Sequence, residues 1–332
     1  MRLLPLLFLL PALAHPASTP DAEAINLGMS PGINYGNVLE ADPPESWGGK
    51  ADAGDFALMA KAGFKGLRLP VRWSAMAAKT PPYTIDPAFD LKVQKLVYAA
   101  MKNGLTVVLN MHHYDEIFKQ PAAHLDRFLA IWAQIAQRYK AYPRTLVFEI
   151  LNEPHDALTA KLWNLYYGEA LRAIRKVDPE RVVMLGGADW GGTKALGELS
   201  LPRRDKNIIF TFHHYSPFEF THQGADWVGP QTKAWLGKTW SGSGSEISTI
   251  KKEFEIARNF ARKYSVPVCM GEYGAFSKAD MASRVAWTRE MSKLAIKFGY
   301  SRFYWEFKSG FGLYDPTTKK WNEELTKAVV NP

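Results

Sequence analysis

Eight short runs of strand-forming apolar residues recur along this 332-residue chain, and helical patterns separate most of them. The runs are INLGMSPGINYG, KGLRLP, LTVVLNMHH, TLVFEILNE, RVVMLGG, NIIFTFHHY, VPVCMGEYG and SRFYWEF. Several runs are continuously apolar, as is typical of parallel strands that are covered on both faces. The helical patterns include DFALMAKAG, DLKVQKLVYAAMKNG, AHLDRFLAIWAQIAQRYK and LWNLYYGEALRAIRKV. Gly63 and Gly104 stand where the first two of these helices are expected to end.

Alternation of eight strands with helices predicts an α/β fold, a single (β/α)8 TIM barrel. A doubly wound open sheet is the alternative. The sequence disfavours it, because no glycine-rich phosphate-binding fingerprint of the form G-x-G-x-x-G follows a strand.

The chain divides into a short leader and one large domain. Residues 1–14, MRLLPLLFLLPALA, combine an early arginine, an apolar stretch and a small-residue end, which predicts a secretory signal peptide. A short membrane anchor is the alternative, but the apolar stretch is too short to span a bilayer. Residues 15–23 form a short polar lead, and residues 24–332 are predicted to be the catalytic domain. The SGSGS segment at 241–245 fits a loop tip better than a domain linker.

Charge and cysteine content restrict the partners and the compartment. The formal charge is +8, but the basic residues are dispersed among acidic ones, which argues against nucleic acid and against stable membrane association. The single cysteine, Cys269, cannot form an internal disulfide and is interpreted as a small buried hydrophobe. We therefore expect an exported monomer, extracellular or periplasmic, that relies on its core for stability.

Polar and aromatic residues follow nearly every predicted strand. Active sites of such barrels lie where the strands end, at the carboxyl-terminal rim. The residues at these ends are Arg68 on the second strand, Asn110, His112 and His113 on the third, Asn152 and Glu153 on the fourth, His213 and Tyr215 on the sixth, Glu272 on the seventh and Trp305 on the eighth. Their convergence on one rim predicts a single polar site.

Two of these residues, Glu153 and Glu272, form the pair of carboxylates that glycosidic-bond cleavage needs. One acid protonates the leaving oxygen, and the other carboxylate meets the developing positive charge on the sugar. A separation of about 5–5.5 Å would make the second carboxylate a nucleophile and retain the anomeric configuration. Arg68 and Tyr215 suit the cation and the hydrogen-bond donor that such a nucleophile needs.

Motifs distributed over residues 26–315 resemble glycoside hydrolase family 5, the cellulase-type retaining endo-β-1,4-glucanases. The motifs are GINYGNVLE at 32–40, GLRLPVRWS at 66–74, NMHHY at 110–114, LNEP at 151–154, HHYSP at 213–217, GEYG at 271–274 and FYWEF at 303–307.

The resemblance implies a role for each matching residue. Glu153 is expected to be the acid/base and Glu272 the nucleophile. Asn152 is expected to bind the sugar 2-hydroxyl, Arg68 to orient Glu272, Tyr215 to donate to Glu272, and His112 and His213 to complete the polar floor. Trp305 is expected to stack under the sugar on the non-reducing side, and Asn37, Glu40 and His113 to bind further hydroxyls. No metal or other cofactor is implied.

The resemblance implies cleavage of internal β-1,4-glucosidic bonds of cellulose or mixed-linkage β-glucan. A β-mannanase or a xyloglucanase of the same family remains open, because loops discriminate these glycans. A metal-dependent barrel hydrolase is disfavoured, since H-x-H and HExxH spacings are missing and adjacent His112 and His113 should point to opposite faces of a strand. A non-catalytic sugar-binding barrel would be expected to lack one carboxylate.

The tryptophans divide into two groups. Trp132, Trp163 and Trp287 lie in helical patterns and are predicted to pack in the core, whereas five others lie in or near predicted loops and are candidates for lining a cleft. These five are Trp47, Trp73, Trp190, Trp227 and Trp240.

Overall fold

The computed structural model describes residues 21–332. The strands are β1 (Gly32–Asn34), β2 (Gly66–Val71), β3 (Thr106–Met111), β4 (Leu146–Glu149), β5 (Val183–Gly186), β6 (Ile208–His213), β7 (Val268–Tyr273), β8 (Ser301–Tyr304), β9 (Tyr314–Asp315) and β10 (Lys320–Trp321). The α-helices are α1 (Ala22–Gly28), α2 (Gly54–Lys61), α3 (Pro87–Lys102), α4 (Asp115–Lys119), α5 (Pro121–Tyr139), α6 (Ala160–Val177), α7 (Phe218–Thr221), α8 (Gly244–Tyr264), α9 (Met281–Phe298) and α10 (Glu323–Val330).

Strands β1 to β8 form one closed barrel in chain order. Each strand pairs in parallel with the next, and β8 closes on β1, where Gly32 pairs with Phe303. Every residue of β1 to β8 is buried, which explains why the corresponding sequence runs are continuously apolar. The predicted single (β/α)8 TIM barrel is confirmed.

Two layers of apolar residues stabilise the barrel. The larger layer lies between the strands and the surrounding helices, and it includes Trp132, Trp163 and Trp287, whose predicted packing role is confirmed because all three are fully buried. The smaller cluster joins barrel residues such as Val108 and Met184 to helix α1. Cys269 belongs to this inner cluster and is a buried free thiol, as predicted.

Helix α1 lies at the amino-terminal end of the strands. Its Asn26 side chain donates to the Val268 carbonyl oxygen at 3.0 Å and accepts from the Ser301 hydroxyl at 2.7 Å. Helix α10, at the other end of the described chain, approaches the same side, because Val330 lies against Gly63 in the turn that precedes β2. Both ends of residues 21–332 therefore lie opposite the carboxyl-terminal rim.

Two boundaries differ from the predictions. The run INLGMSPGINYG is not one strand, because Ile25–Gly28 belongs to α1 and only Gly32–Asn34 pairs in the barrel. Helix α1 begins at Ala22, inside the predicted polar lead, because Asp21 caps it by accepting from the Ala24 amide.

The signal peptide predicted at residues 1–14 lies outside the described residues. Between residues 21 and 332, none of the helices combines the length and apolar composition needed to cross a bilayer.

Gly63 and Gly104 end helices α2 and α3 as expected. Their φ angles are +102° and +78°, a left-handed conformation that glycine adopts without strain. Each glycine turns the chain directly toward the next strand, which fixes where β2 and β3 begin.

Arg181 holds the amino-terminal side of the barrel together. Its guanidinium is buried and donates to the carbonyl oxygens of Tyr139, Tyr142, Pro143 and Leu146 at 2.7–3.1 Å, and to Asp178 at 2.9 Å. One side chain thus satisfies the end of α5 and the segment that leads into β4.

We expect Arg181→Met to lower the free energy of unfolding by about 3 kcal/mol, because four carbonyl oxygens, those of Tyr139 and Leu146 buried, lose their donor. Urea unfolding measures the loss. The matched control is Arg172→Met, whose side chain is 70% exposed and pairs only with Glu169, so a change below about 1 kcal/mol is expected there. Equal losses in the two variants would contradict the assigned role of Arg181.

Candidate active site

The polar side chains predicted to converge do meet inside the carboxyl-terminal half of the barrel, but they reach it in two ways. Arg68 does not end its strand. It lies in the middle of β2 and is fully buried. Asn152 and Glu153 lie in the turn beyond β4, and Glu153 adopts a positive φ of 45°. The strand interior therefore supplies the fixed cation, and the following turns supply the groups that face the opening.

Arg68 is the hub of a buried network. Its Nε and Nη2 atoms donate to the two carboxylate oxygens of Glu149 at 2.6 and 2.8 Å. Its Nη1 atom donates to Glu272 at 2.6 Å and to Asn34 at 2.9 Å, and Nη2 also donates to Asn152 at 2.7 Å. All five N–H groups of the guanidinium are thereby engaged.

The charges around Arg68 keep it ionised. Burial by itself lowers the pKa of the Arg68 guanidinium, but the adjacent carboxylates of Glu149 and Glu272 outweigh burial and hold that pKa above its ordinary value. Glu149 and Asn34 were missed by the sequence interpretation. The available signal was a glutamate inside the buried run LVFEIL, since a buried charge requires a partner.

Glu153, His213 and Glu272 stand together at the centre of the rim. His213 Nδ1 lies 2.6 Å from Glu153 Oε1 and 3.6 Å from Glu272 Oε2. A carboxylate oxygen of Glu153 lies within 4.8 Å of one of Glu272. The two glutamates thus come close together although 119 positions separate them in the sequence, 272 − 153 = 119.

Hydrogen bonds distinguish the two carboxylates. Glu272 is almost fully buried and accepts from Arg68 and from the Tyr215 hydroxyl, the latter at 2.8 Å. Burial and the Glu272 charge raise the pKa of Tyr215 well above its ordinary value, so its hydroxyl remains a donor. The Glu153 side chain is 21% exposed and contacts His213. Glu272 is therefore held in place from two sides, whereas Glu153 is open to solvent.

The His213 imidazole lies close to both carboxylates, and they raise its pKa. Burial lowers the pKa of its imidazole, but the Glu272 charge and the hydrogen bond to Glu153 outweigh burial and raise that pKa above the ordinary value. Gly271 makes room for this ring, because a Cβ atom there would lie 3.3 Å from His213 Nε2 and 2.5 Å from the Thr211 hydroxyl.

His112 and Trp305 form one wall of the site. Their rings are parallel, with centroids 5.8 Å apart and an interplanar angle of 9°. His112 Nδ1 lies 2.8 Å from Asn110 Oδ1, and burial lowers the pKa of His112 well below its usual value, so the ring is neutral. The Trp305 indole is half-buried, and its edge approaches Gly36 so closely that a Cβ there would lie 2.7 Å from the ring.

His113 does not point away from His112, contrary to the prediction. Strand β3 ends at Met111 and His113 has a φ of 52°, so the alternation of side chains across a strand no longer applies. The two imidazoles lie edge to face with centroids 4.4 Å apart, and His113 also contacts Trp47 edge to face at 5.6 Å. Both histidines therefore belong to the same side of the rim.

Glu40 is not placed to bind a sugar hydroxyl, and that prediction is wrong. Its side chain is fully buried and accepts from the backbone amides of Asn37 and Val38. Burial raises the pKa of this carboxyl to about 8. Glu40 instead holds the loop that carries Asn37, which is half-buried and has a φ of 65°.

The loop tryptophans divide into buried and exposed. Trp73 and Trp240 are buried at 0% and 7% exposure, so neither lines an open cleft. Trp47, Trp190 and Trp227 are 51%, 55% and 63% exposed. Trp190 stacks on His155 with ring centroids 3.5 Å apart. The next residue is Gly191, and a Cβ atom at that position would lie 3.5 Å from the Glu153 side chain.

The trio of Glu153, His213 and Glu272 also has the composition of a metal site. One atom from each lies within 4.8 Å of the others. The short contact between His213 Nδ1 and Glu153, however, occupies the nitrogen that would bind a metal ion with a carboxylate. In the described structure, this contact joins the histidine directly to one of the two carboxylates.

Comparison with known proteins identifies the family. The family described as "Cellulase (glycosyl hydrolase family 5)" matches residues 30–310. The chain belongs to glycosyl hydrolase family 5. Its closed barrel carries the paired glutamates and the arginine-centred network at the carboxyl-terminal rim.

The chain is similar to characterised proteins of this family and to solved structures. Endoglucanase H of Acetivibrio thermocellus is 33% identical over 96% of this chain, and this chain spans 35% of that protein. Cellulase/esterase CelE of the same organism is 26% identical over 89% of this chain, which spans 37% of it. The chain thus covers about a third of the length of these curated relatives. Thermotoga maritima Cel5A, solved with cellobiose and with mannotriose, is 45% identical with a TM-score of 0.91, covering 93% of this chain and 100% of that one.

The arginine hub of this family 5 site can be tested by a change that keeps its charge. We expect Arg68→Lys to lower the free energy of unfolding by about 2–4 kcal/mol, because an ammonium cannot replace a five-donor fork. Thermal and urea unfolding measure the loss.

The matched control is Arg72→Lys, one residue beyond the end of the same strand. Its partners Asp42 and Asp115 are 57% and 47% exposed, so the loss there should stay below about 1 kcal/mol. Equal losses of unfolding free energy in the two variants would show that the buried network of Arg68 contributes no more stability than the exposed ion pairs of Arg72.

Proposed function

We propose that this protein is a secreted endo-β-1,4-glucanase that hydrolyses internal bonds of cellulose or mixed-linkage β-glucan with retention of anomeric configuration. The observation that carries the proposal is the approach of Glu153 and Glu272 to within 4.8 Å, with His213 between them. Retaining glycosidases place their two carboxyl groups about 5–5.5 Å apart, whereas inverting enzymes leave room for a water molecule.

In the first step, Glu153 protonates the glycosidic oxygen while Glu272 attacks the anomeric carbon from the opposite face. The bond to the leaving sugar breaks, and a covalent glycosyl–enzyme ester forms on Glu272. Arg68 and Tyr215 suit Glu272 to this role, because both donate to its oxygens and fix its direction of attack.

In the second step, Glu153 accepts a proton from water, and that water attacks the anomeric carbon and releases Glu272. The exposure of Glu153 lets water reach it once the leaving sugar has departed. His213 Nδ1 contacts Glu153, so this imidazole can stabilise the Glu153 carboxylate each time it loses its proton. Asn152, held by Arg68, is assigned to the sugar 2-hydroxyl, and Trp305 to the apolar face of the sugar on the non-reducing side.

Exposed indoles around the rim support binding of a polysaccharide rather than a single sugar. Trp47 contacts His113, and Trp190 stacks on His155, whose Nδ1 lies 2.5 Å from the Glu153 carbonyl oxygen. His155 thus connects Trp190 to the residue that protonates the leaving group, so we assign Trp190 to the leaving half of the chain. Asn37 and His113 are assigned to hydroxyls of the retained half. A cleft that holds sugars on both sides of the cleaved bond produces internal cleavage.

Mannan-type substrates are the second candidate, and a specific observation favours them. Thermotoga maritima Cel5A, which is 45% identical to this chain, has been solved with mannotriose as well as with cellobiose. A broad-specificity endoglucanase from Clostridium acetobutylicum is a further structural relative at 26% identity. A β-mannanase or xyloglucanase activity is therefore an explicit outcome of the substrate test below.

Two other classes fit the site less well. A metal-dependent hydrolase would require an ion on Glu153, His213 and Glu272, and complete loss of hydrolysis on chelation, restored by zinc or manganese, would establish it. A non-catalytic sugar-binding barrel would not require two carboxylates in contact with one histidine. Export after removal of residues 1–14, and a monomeric state, remain predictions from the sequence.

We expect Glu153→Gln and Glu272→Gln each to abolish turnover of barley β-glucan, with kcat lowered by about 10²–10⁴-fold or more, while the fold and oligosaccharide binding persist. The matched control is Glu180→Gln, whose side chain is 72% exposed on the opposite side of the barrel. Steady-state kinetics and calorimetric binding measure the effects.

The stereochemical part is read from the first product by proton NMR, where the β anomer is expected. With Glu153→Ala and an activated aryl cellobioside, azide should capture the glycosyl–enzyme as a β-glycosyl azide. An α anomer as first product, or wild-type rates in either glutamine variant, would contradict the assignment.

The substrate is decided by specific activity on barley β-glucan, carboxymethyl cellulose, glucomannan and linear β-mannan under one set of conditions. We expect at least about tenfold preference for the glucans over mannan-only substrate, a difference within reach of a few hydrogen bonds to hydroxyls. Xyloglucan serves as the branched comparison. Dominant activity on glucomannan and mannan would reassign the protein as a mannanase.

A further inference from the structure

The segment that carries Tyr215 has no regular secondary structure of its own. Strand β6 ends at His213, and α7 begins at Phe218. Tyr215 nevertheless has to aim its hydroxyl at Glu272 Oε2, which it does at 2.8 Å. Something outside the strand must therefore fix this segment, since a hydrogen bond across the site constrains only the tip of the side chain.

Glu253, on helix α8, contacts the residues on both sides of Tyr215. Its Oε1 accepts from the Ser216 hydroxyl at 3.0 Å, and its Oε2 lies 3.1 Å from His214 Nδ1. The other imidazole nitrogen, His214 Nε2, is buried and has no hydrogen-bond partner within residues 21–332. Glu253 is thus the group that anchors the His214 ring by hydrogen bonding within the described chain.

The helix that carries Glu253 is itself fixed in rotation and position. The next residue, Phe254, is fully buried and packs edge to face against Phe212 at 5.6 Å and against His214 at 5.3 Å. A second anchor acts on the same segment, because Trp287 Nε1 donates to the Ser216 carbonyl oxygen at 3.0 Å. The carboxylate of Glu253 is therefore a rigid point of attachment.

The charge of Glu253 suits this role. Burial raises the pKa of its carboxyl, but the hydrogen bonds from His214 and Ser216 and the nearby Lys194 outweigh burial and lower that pKa below its ordinary value. The group is consequently an anion that accepts from two donors at once, and hydrogen bonds to a charged acceptor are stronger than neutral ones.

We propose that Glu253 is a positioning residue for catalysis, which holds His214 and Ser216 so that the intervening Tyr215 keeps its hydroxyl on Glu272. Glu253 touches neither carboxylate of the glutamate pair nor the region between them, so its effect has to pass through the segment 214–216. That segment carries the Tyr215 hydroxyl, and its His214 amide donates to the Glu272 carbonyl oxygen at 2.9 Å. The inference rests on the proposed glycosidase function, because it presupposes that Glu272 is the nucleophile.

A double-mutant cycle tests whether the effect passes through Tyr215. We expect Glu253→Ala to lower kcat on barley β-glucan about tenfold with KM changed less than about threefold, because the Tyr215 hydroxyl that directs the Glu272 carboxylate is misplaced. In a Tyr215→Phe background, the same change should lower kcat less than about twofold, since the hydroxyl is already missing. The matched control is Glu255→Ala on the same helix, whose partner is Arg258 and which should leave kcat unchanged.

Glu253→Gln extends the test. Its amide has one acceptor oxygen for two donors, so a smaller loss, about threefold, is expected, and the variant serves for the cycle if Glu253→Ala does not fold. Full losses of equal size with and without the Tyr215 hydroxyl would overturn the positioning role, as would a wild-type kcat in Glu253→Ala. Lack of turnover by the wild-type protein on every β-glycan would overturn the proposed function and this role together, whereas equal losses in an active wild type overturn this role alone.

Discussion

The buried guanidinium of Arg68 is the interaction on which the rest of the site depends. This one cation on β2 binds two carboxylates. Glu149 lies on β4, two strands away, and Glu272 lies across the barrel on β7. Two buried carboxylates around one cation leave an excess of negative charge, and His213, whose pKa is raised, lies where it can compensate. Removing Arg68 would leave Glu149 and Glu272 without their shared cation in a low-dielectric interior, where an unpaired charge costs most. The contacts that neutralise the buried charges inside the barrel therefore also fix the orientation of the Glu272 carboxylate.

Around this rigid centre, the exposed tryptophans belong to loops. Trp47, Trp190 and Trp227 lie on three different connections, and each is more than half exposed. A strand interior supplies groups whose position cannot vary, and the loops supply surfaces that can change without disturbing the barrel. Under the proposed function, cleavage chemistry and choice of glycan are assigned to separate parts of one domain.

Local patterns in the sequence predicted the barrel and the two glutamates, because each strand is a continuous apolar run and each glutamate stands in a short distinctive motif. Glu149 was not predicted, since its role appears only when Arg68, 81 positions earlier, folds beside it. Glu40 and His113 were misjudged for another reason. Their positions depend on backbone turns, with positive φ at Asn37 and at His113 itself, and residue periodicity carries no information about such turns.

The placement of helices α1 and α10 has a practical meaning. Both approach the side of the barrel opposite the rim, with Asn26 bonded beneath β7 and β8, and Val330 lying against Gly63. A tag, a solid support or a carrier domain joined after residue 332 would therefore leave the molecule on the side of the barrel opposite the glutamate pair. Under the proposed function, such an attachment leaves the rim open to a long polymer.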